Sequence, residues 1–110
     1  MLEFPVRAVD FRRADAHLVG ARLSNVRERE AAAFIYDVNG RRVTVLVFEP
    51  PPETFAGASH RQVDGHDLYY RTVHGYTVPM VQVEGLTYAF TGDLDSETMI
   101  QLAATAHVGR

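Results

Sequence analysis

Ala31-Ala32-Ala33-Phe34-Ile35-Tyr36-Asp37-Val38-Asn39-Gly40-Arg41-Arg42-Val43-Thr44-Val45-Leu46-Val47-Phe48 is the stretch that decides the fold. Asn39-Gly40 stands between two apolar runs rich in β-branched and aromatic residues. The tightest hairpin turns need positive φ at both central residues, which Asn and Gly tolerate best, so the pattern predicts a β-hairpin. Such a turn fixes the register. Val38 then lies opposite Arg41, Tyr36 opposite Val43, Phe34 opposite Val45 and Ala32 opposite Val47. That face is apolar and belongs in a core. The other face sets Asp37 opposite Arg42, Ile35 opposite Thr44, Ala33 opposite Leu46 and Ala31 opposite Phe48. Asp37 and Arg42 are expected to form a cross-strand ion pair. The second face is also apolar away from the turn, so something must cover it.

Upstream, His17 to Leu23 reads as a strand, and Gly20 inside it marks a bulge or a close backbone approach. Ser24 to Glu30 reads as a charged connection, and residues 1–16 as an N-terminal arm with a short strand at Phe4 to Val9. Residues 17–110 are expected to form a single domain. Downstream, Pro50-Pro51-Pro52 ends the hairpin, because proline cannot donate to a ladder. Thr54 to Asp67 reads as a long irregular connection of the kind that often carries function.

Leu68 to Val73, Tyr76 to Val83 and Leu86 to Thr91 follow as strands, separated by His74-Gly75 and Glu84-Gly85. The second turn sets Val83 opposite Leu86, Val81 opposite Tyr88 and Pro79 opposite Phe90, with Pro79 at a bulge or on an unpaired side. A helix then begins. Asp95 is its N-cap, Glu97 suits its first turn, and Leu94 packs on Met99 as a staple. Met99, Leu102, Ala103 and Ala106 form one apolar stripe, and Gly109 stops the helix. The expected fold is α+β: an antiparallel sheet of five to six strands with a C-terminal helix packed on one face.

Composition bounds the function. The 110 residues contain no cysteine and no tryptophan, and all 11 cationic side chains are arginine. Without cysteine there is no disulfide framework, thiolate zinc site or cysteine nucleophile. Asp and Glu number 14, giving a net charge of −3, which argues against a dedicated nucleic-acid binder. No apolar run approaches the ~18–20 residues that cross a bilayer, and no signal peptide is visible, so the chain reads as soluble.

The order of these pieces resembles a family. Leu18-Val19-Gly20-Ala21-Arg22-Leu23, a polar link, Ala31-Ala32-Ala33-Phe34-Ile35-Tyr36, a Gly turn and Arg42-Val43-Thr44-Val45-Leu46-Val47-Phe48 resemble the C-terminal extracytoplasmic domain of membrane-anchored, zinc-finger-type bacterial anti-sigma factors. Gly75-Tyr76-Thr77-Val78 and Gly85-Leu86-Thr87-Tyr88-Ala89-Phe90-Thr91-Gly92-Asp93-Leu94-Asp95 before a helix resemble how those domains end. The family often carries Trp where this chain has Val81-Gln82-Val83. The resemblance implies a non-enzymatic sensory or interaction domain that regulates sigma-dependent transcription within a longer protein. It implies a protein partner or regulatory protease in the cell envelope, a periplasmic location, and membrane attachment only through an anchor upstream.

Candidate chemistry is sparse. His60 and His66, with Asp64 and Asp67 nearby, are the best metal candidates, though their spacing fits no compact ligand motif. Ser59 directly before His60 is not a usable nucleophile spacing, and no Gly-x-Ser-x-Gly elbow exists, so no catalytic set is expected. No cofactor motif is present. His74 and His107 read as structural, the latter near a helix C-terminus. Arg27 and Arg29 at the charged connection and Tyr69 and Tyr70 in the second half are the partner-binding candidates. The alternative function is a stand-alone small-molecule or metal-binding module.

Overall fold

The computed structural model describes residues 9–11, 15–26, 29–49, 57–63 and 65–108. In chain order the strands are β1 (Val9–Phe11), β2 (Ala16–Val26), β3 (Arg29–Val38), β4 (Arg41–Phe48), β5 (Ser59–Val63), β6 (His66–Val73), β7 (Tyr76–Val83) and β8 (Leu86–Gly92). Helix α1 (Ser96–Thr105) and strand β9 (Ala106–Val108) complete the chain. Seven strands form one antiparallel sheet in the order β2-β3-β4-β8-β7-β6-β5, and β1 pairs with β9 apart from it. The architecture is therefore α+β, but the main sheet has seven strands rather than five or six.

The predicted first hairpin register is observed throughout, from Val38 opposite Arg41 to Ala31 opposite Phe48. Asn39 and Gly40 have φ of 51° and 81°. The same pair of positive angles recurs at His74-Gly75 and Glu84-Gly85, so each of these turns matches the twist of its strands. Asp37 and Arg42 do face each other, yet no ion pair joins them. Arg41 instead approaches Asp93 at 3.6 Å.

The extra strand comes from the stretch read as irregular. Ser59–Val63 pairs with β6 across residues 64–65, with Val63 opposite His66 and Gly65 at φ 81°. Ser59-His60-Arg61-Gln62-Val63 has no apolar alternation, so only its Asp-Gly turn signal announced it. The supposed connection of Ser24 to Glu30 is also mostly strand: β2 runs to Val26 and β3 starts at Arg29. Residues 4–8, 27–28 and 50–56, with the expected early strand and the proline run, lie outside the described residues.

The two strand groups join where β4 pairs with β8, from Val43 opposite Gly92 to Phe48 opposite Thr87. At Gly92 a Cβ would stand 3.1 Å from the Arg42 carbonyl oxygen, so glycine permits this close approach. The β7–β8 ladder runs from Val83 opposite Leu86 to Met80 opposite Ala89. Pro79 lies just past its end, without the expected Phe90 partner, and pairs on its other side with Tyr70 of β6.

One face of the sheet carries the main core. Tyr36, Val43, Val45, Val47, Tyr88 and Phe90 pack there with Met99 and Leu102 of α1. Phe11, inside the stretch read as an arm, is buried in the same core and meets Tyr36 and Phe90 edge to face at 4.8 and 5.9 Å. Leu94 packs against this core, to which Met99 also belongs. Asp95 caps the helix by accepting from the Thr98 N–H. The helix ends at Thr105, before Gly109, because Ala106 turns extended and the chain enters β9. His107 thus sits in a strand opposite Asp10 rather than at a helix end. On the opposite sheet face Ala31, Phe48, Met80 and Ala89 form a second cluster, which Ala58 joins just before β5.

Candidate functional site

The hairpin β5–β6 carries both histidine candidates. Its register puts His60 opposite Tyr69 and Gln62 opposite Asp67 on one face, while Val63 lies opposite His66 at the alternate positions. His60 Nε2 lies 3.0 Å from Asp67 Oδ1, and the His60 ring leans on Tyr69 with centroids 5.0 Å apart. The strand register therefore gathers His60, Asp67 and Tyr69, and sets His66 out of step with them. Among the described residues no group of three or more His, Asp or Glu side chains is placed to hold a metal ion.

The tyrosine candidates divide between the two faces. Tyr70 packs with Val63, Leu68, Ile100 and Ala104 beneath α1. Tyr69 packs against the Phe48, Met80 and Ala89 cluster on the other side. Both are half-buried and help hold the sheet. Arg29 opens β3 opposite Val26, and Arg27 lies outside the described residues.

Nothing in the sequence singles out Arg61, because its partner is 36 residues away. Its guanidinium donates two hydrogen bonds, both 3.0 Å, to the two carboxylate oxygens of Glu97. This forked pair ties the outer strand β5 to the first turn of α1. The hydrogen bond from Arg61, with another from Gln101, holds Glu97 below the usual carboxylate range. The same bond raises the Arg61 guanidinium above its ordinary value. Thr77 Oγ1 and Ser96 Oγ lie 2.6 Å apart and make a second tie between sheet and helix start.

Two clefts exist. One, of about 310 Å³, lies between the β3–β4 turn and α1 and is lined by Val38, Asn39, Leu94, Thr98, Gln101 and Leu102. The other, of about 420 Å³, lies by Val73, Tyr76, Val78 and Thr91. The first holds no His, Asp or Glu; the second also holds His74 and Asp93, but Thr91 donates to the Thr44 carbonyl and Asp93 faces Arg41, and no hydrogen bond joins His74 to a hydroxyl among the described residues.

The sequence points to exposed strand edges as a partner surface without saying which strand forms one, and the structure places β2 at an edge. β2 is 11 residues long and, among the described residues, pairs on one side only, with β3. Its register slips between Leu18 and Gly20, so the bulge predicted at Gly20 is present with Val19 as the extra residue. Leu18, Val19 and Leu23 are 51, 51 and 62% exposed. By register Leu18, Ala21 and Leu23 stand opposite Tyr36, Phe34 and Ala32, on the helix-bearing face. Arg22 stands opposite buried Ala33 on the other face. Leu18, Ala21 and Leu23 signal an apolar strand, and the sequence alone does not show that β2 pairs with β3 alone among the described residues.

Compared with protein families, curated proteins and solved structures, the chain matches none. No helix among the described residues is long and apolar enough to cross a membrane.

Proposed function

We propose that the chain is a non-enzymatic signalling and interaction domain that works as the extracytoplasmic part of an anti-sigma factor works. In this reading it receives an envelope signal through a protein partner or a regulatory protease, and the longer protein passes that signal to a sigma factor. The observation that carries the reading is the long β2 edge with its exposed leucines. Backbone groups that no described strand pairs, beside apolar side chains, are a surface suited to another polypeptide. The order of strands before the helix supports the resemblance on which the sigma-factor part rests. The polar groups that meet across the sheet, Arg61 with Glu97 and Thr77 with Ser96, join elements to one another and so serve structure.

The reading is tested in the organism that carries the gene. Residues 17–106 are excised in frame, and transcript levels are compared with and without envelope stress. A changed response in one coherent set of sigma-dependent promoters is expected. An unchanged transcript profile overturns the proposal.

A further inference from the structure

We infer that the edge of β2, which no other described strand covers, docks an extended, acidic segment of a partner protein, which adds to the sheet as an eighth strand and sets a carboxylate beside Arg22. The inference rests on reading the chain as an interaction domain and names the chemistry of its partner.

Edge strands in proteins that avoid association are short, or carry proline, lysine or inward charges. β2 is 11 residues long, about twice the common strand length, with no proline and no lysine. Its bulge lies near one end and leaves Gly20–Val26 in unbroken register with β3. The other edge of the sheet differs. β5 has five residues, and its side chains are engaged: Arg61 holds Glu97 and His60 meets Asp67.

Charge selects the kind of strand. Ala16–Val26 contains His17 and Arg22 and no Asp or Glu. His17 already has a partner, its Nε2 lying 3.0 Å from Asp15 Oδ1. Arg22 has none among the described residues, and the β3 position opposite it is alanine. A carboxylate arriving on the open side is the complement that completes it. A second copy of this edge would bring another Arg22 to the same face and be repelled.

The side-chain period selects the pattern. Ala21 and Leu23 flank Arg22 on the helix-bearing face, with Leu18 beyond the bulge on that same face. A partner strand matches this edge by presenting apolar residues to that face and acidic residues, two apart, to the other. Backbone hydrogen bonds then supply affinity, and Arg22 supplies the choice of sign.

Fluorescence anisotropy with two labelled peptides tests this, one of alternating valine and glutamate and one of alternating valine and lysine. The whole chain is expected to bind the glutamate peptide at least about tenfold more tightly, and added salt should narrow the difference. Arg22→Glu should reverse the preference. Leu23→Lys should weaken both peptides while leaving the thermal midpoint in place, since Leu23 is exposed. Equal binding of both peptides, binding of neither, or an unchanged preference in Arg22→Glu overturns the inference. So does a dimer seen by sedimentation that Leu23→Lys dissolves, because the edge then belongs to a second copy. The two readings fail separately. Peptides that do not bind, with the transcript response intact, remove this docking site alone. Selective peptide binding without a transcript response removes the signalling role alone.

Discussion

Thr87 shows how a single residue departs from what its type suggests. It is fully buried in β8, opposite Phe48 of β4 and Gln82 of β7. Among the described residues its hydroxyl has no hydrogen-bond partner. A buried hydroxyl without a partner keeps its desolvation cost and returns nothing. Valine has the same branched shape and fits the same β backbone. Thr87→Val is therefore expected to raise stability by about 1 kcal/mol. Urea unfolding checks it, as a higher midpoint at unchanged slope. A lower midpoint would mean that the hydroxyl is satisfied.

At the scale of an element, the start of α1 concentrates the electrostatics. Asp95 accepts a 2.6 Å hydrogen bond from the Thr98 hydroxyl and a 3.1 Å bond from the Thr98 N–H. These bonds, the hydroxyl first, hold the Asp95 carboxyl below its ordinary range. Glu97 is held low by Arg61 and then Gln101. As pH falls, the unfolded chain takes up these protons first, while the folded chain resists them. The stability they contribute is therefore full above the ordinary carboxylate range and is lost as pH drops through the lowered folded values. The urea midpoint should be flat near neutrality and fall on acidification. In a chain carrying both Asp95→Asn and Glu97→Gln, that fall should be shallower. Because the groups lie at the surface, salt should reduce the difference. Parallel acid limbs in the two chains would show that other carboxylates set the slope.

At the scale of the whole molecule, what was legible in the chain was local. Asn39-Gly40, His74-Gly75 and Glu84-Gly85 place positive φ where tight turns need it, so three hairpins followed from neighbours in sequence, with the register of the first and, short of Pro79, of the third. The cap at Asp95 was equally local. The pairing of β4 with β8 was not legible, because it joins residues far apart in sequence, such as Thr91 and Thr44 at a separation of 47. The burial of Phe11 and the Arg61–Glu97 pair share that cause. β5 was missed for another reason: its polar residues show no period-two apolar face, and its partner β6 does the burying through Leu68. The histidine candidates were near in sequence, but strand alternation placed their positions out of step. The functional edge is an attribute of the assembled sheet, since a strand is an edge only by virtue of where its neighbours fall.

Openness of that edge is the claim on which the functional account depends, and amide hydrogen exchange measures it directly. In an antiparallel edge strand the backbone N–H groups point alternately to the neighbour and to solvent. Exchange in the free chain should therefore alternate along Ala16–Val26, slow at amides bonded to β3 and fast at those between, with the phase shifted at the Val19 bulge. Uniform slow exchange along β2 would mean that the edge is already covered, and would contradict the account.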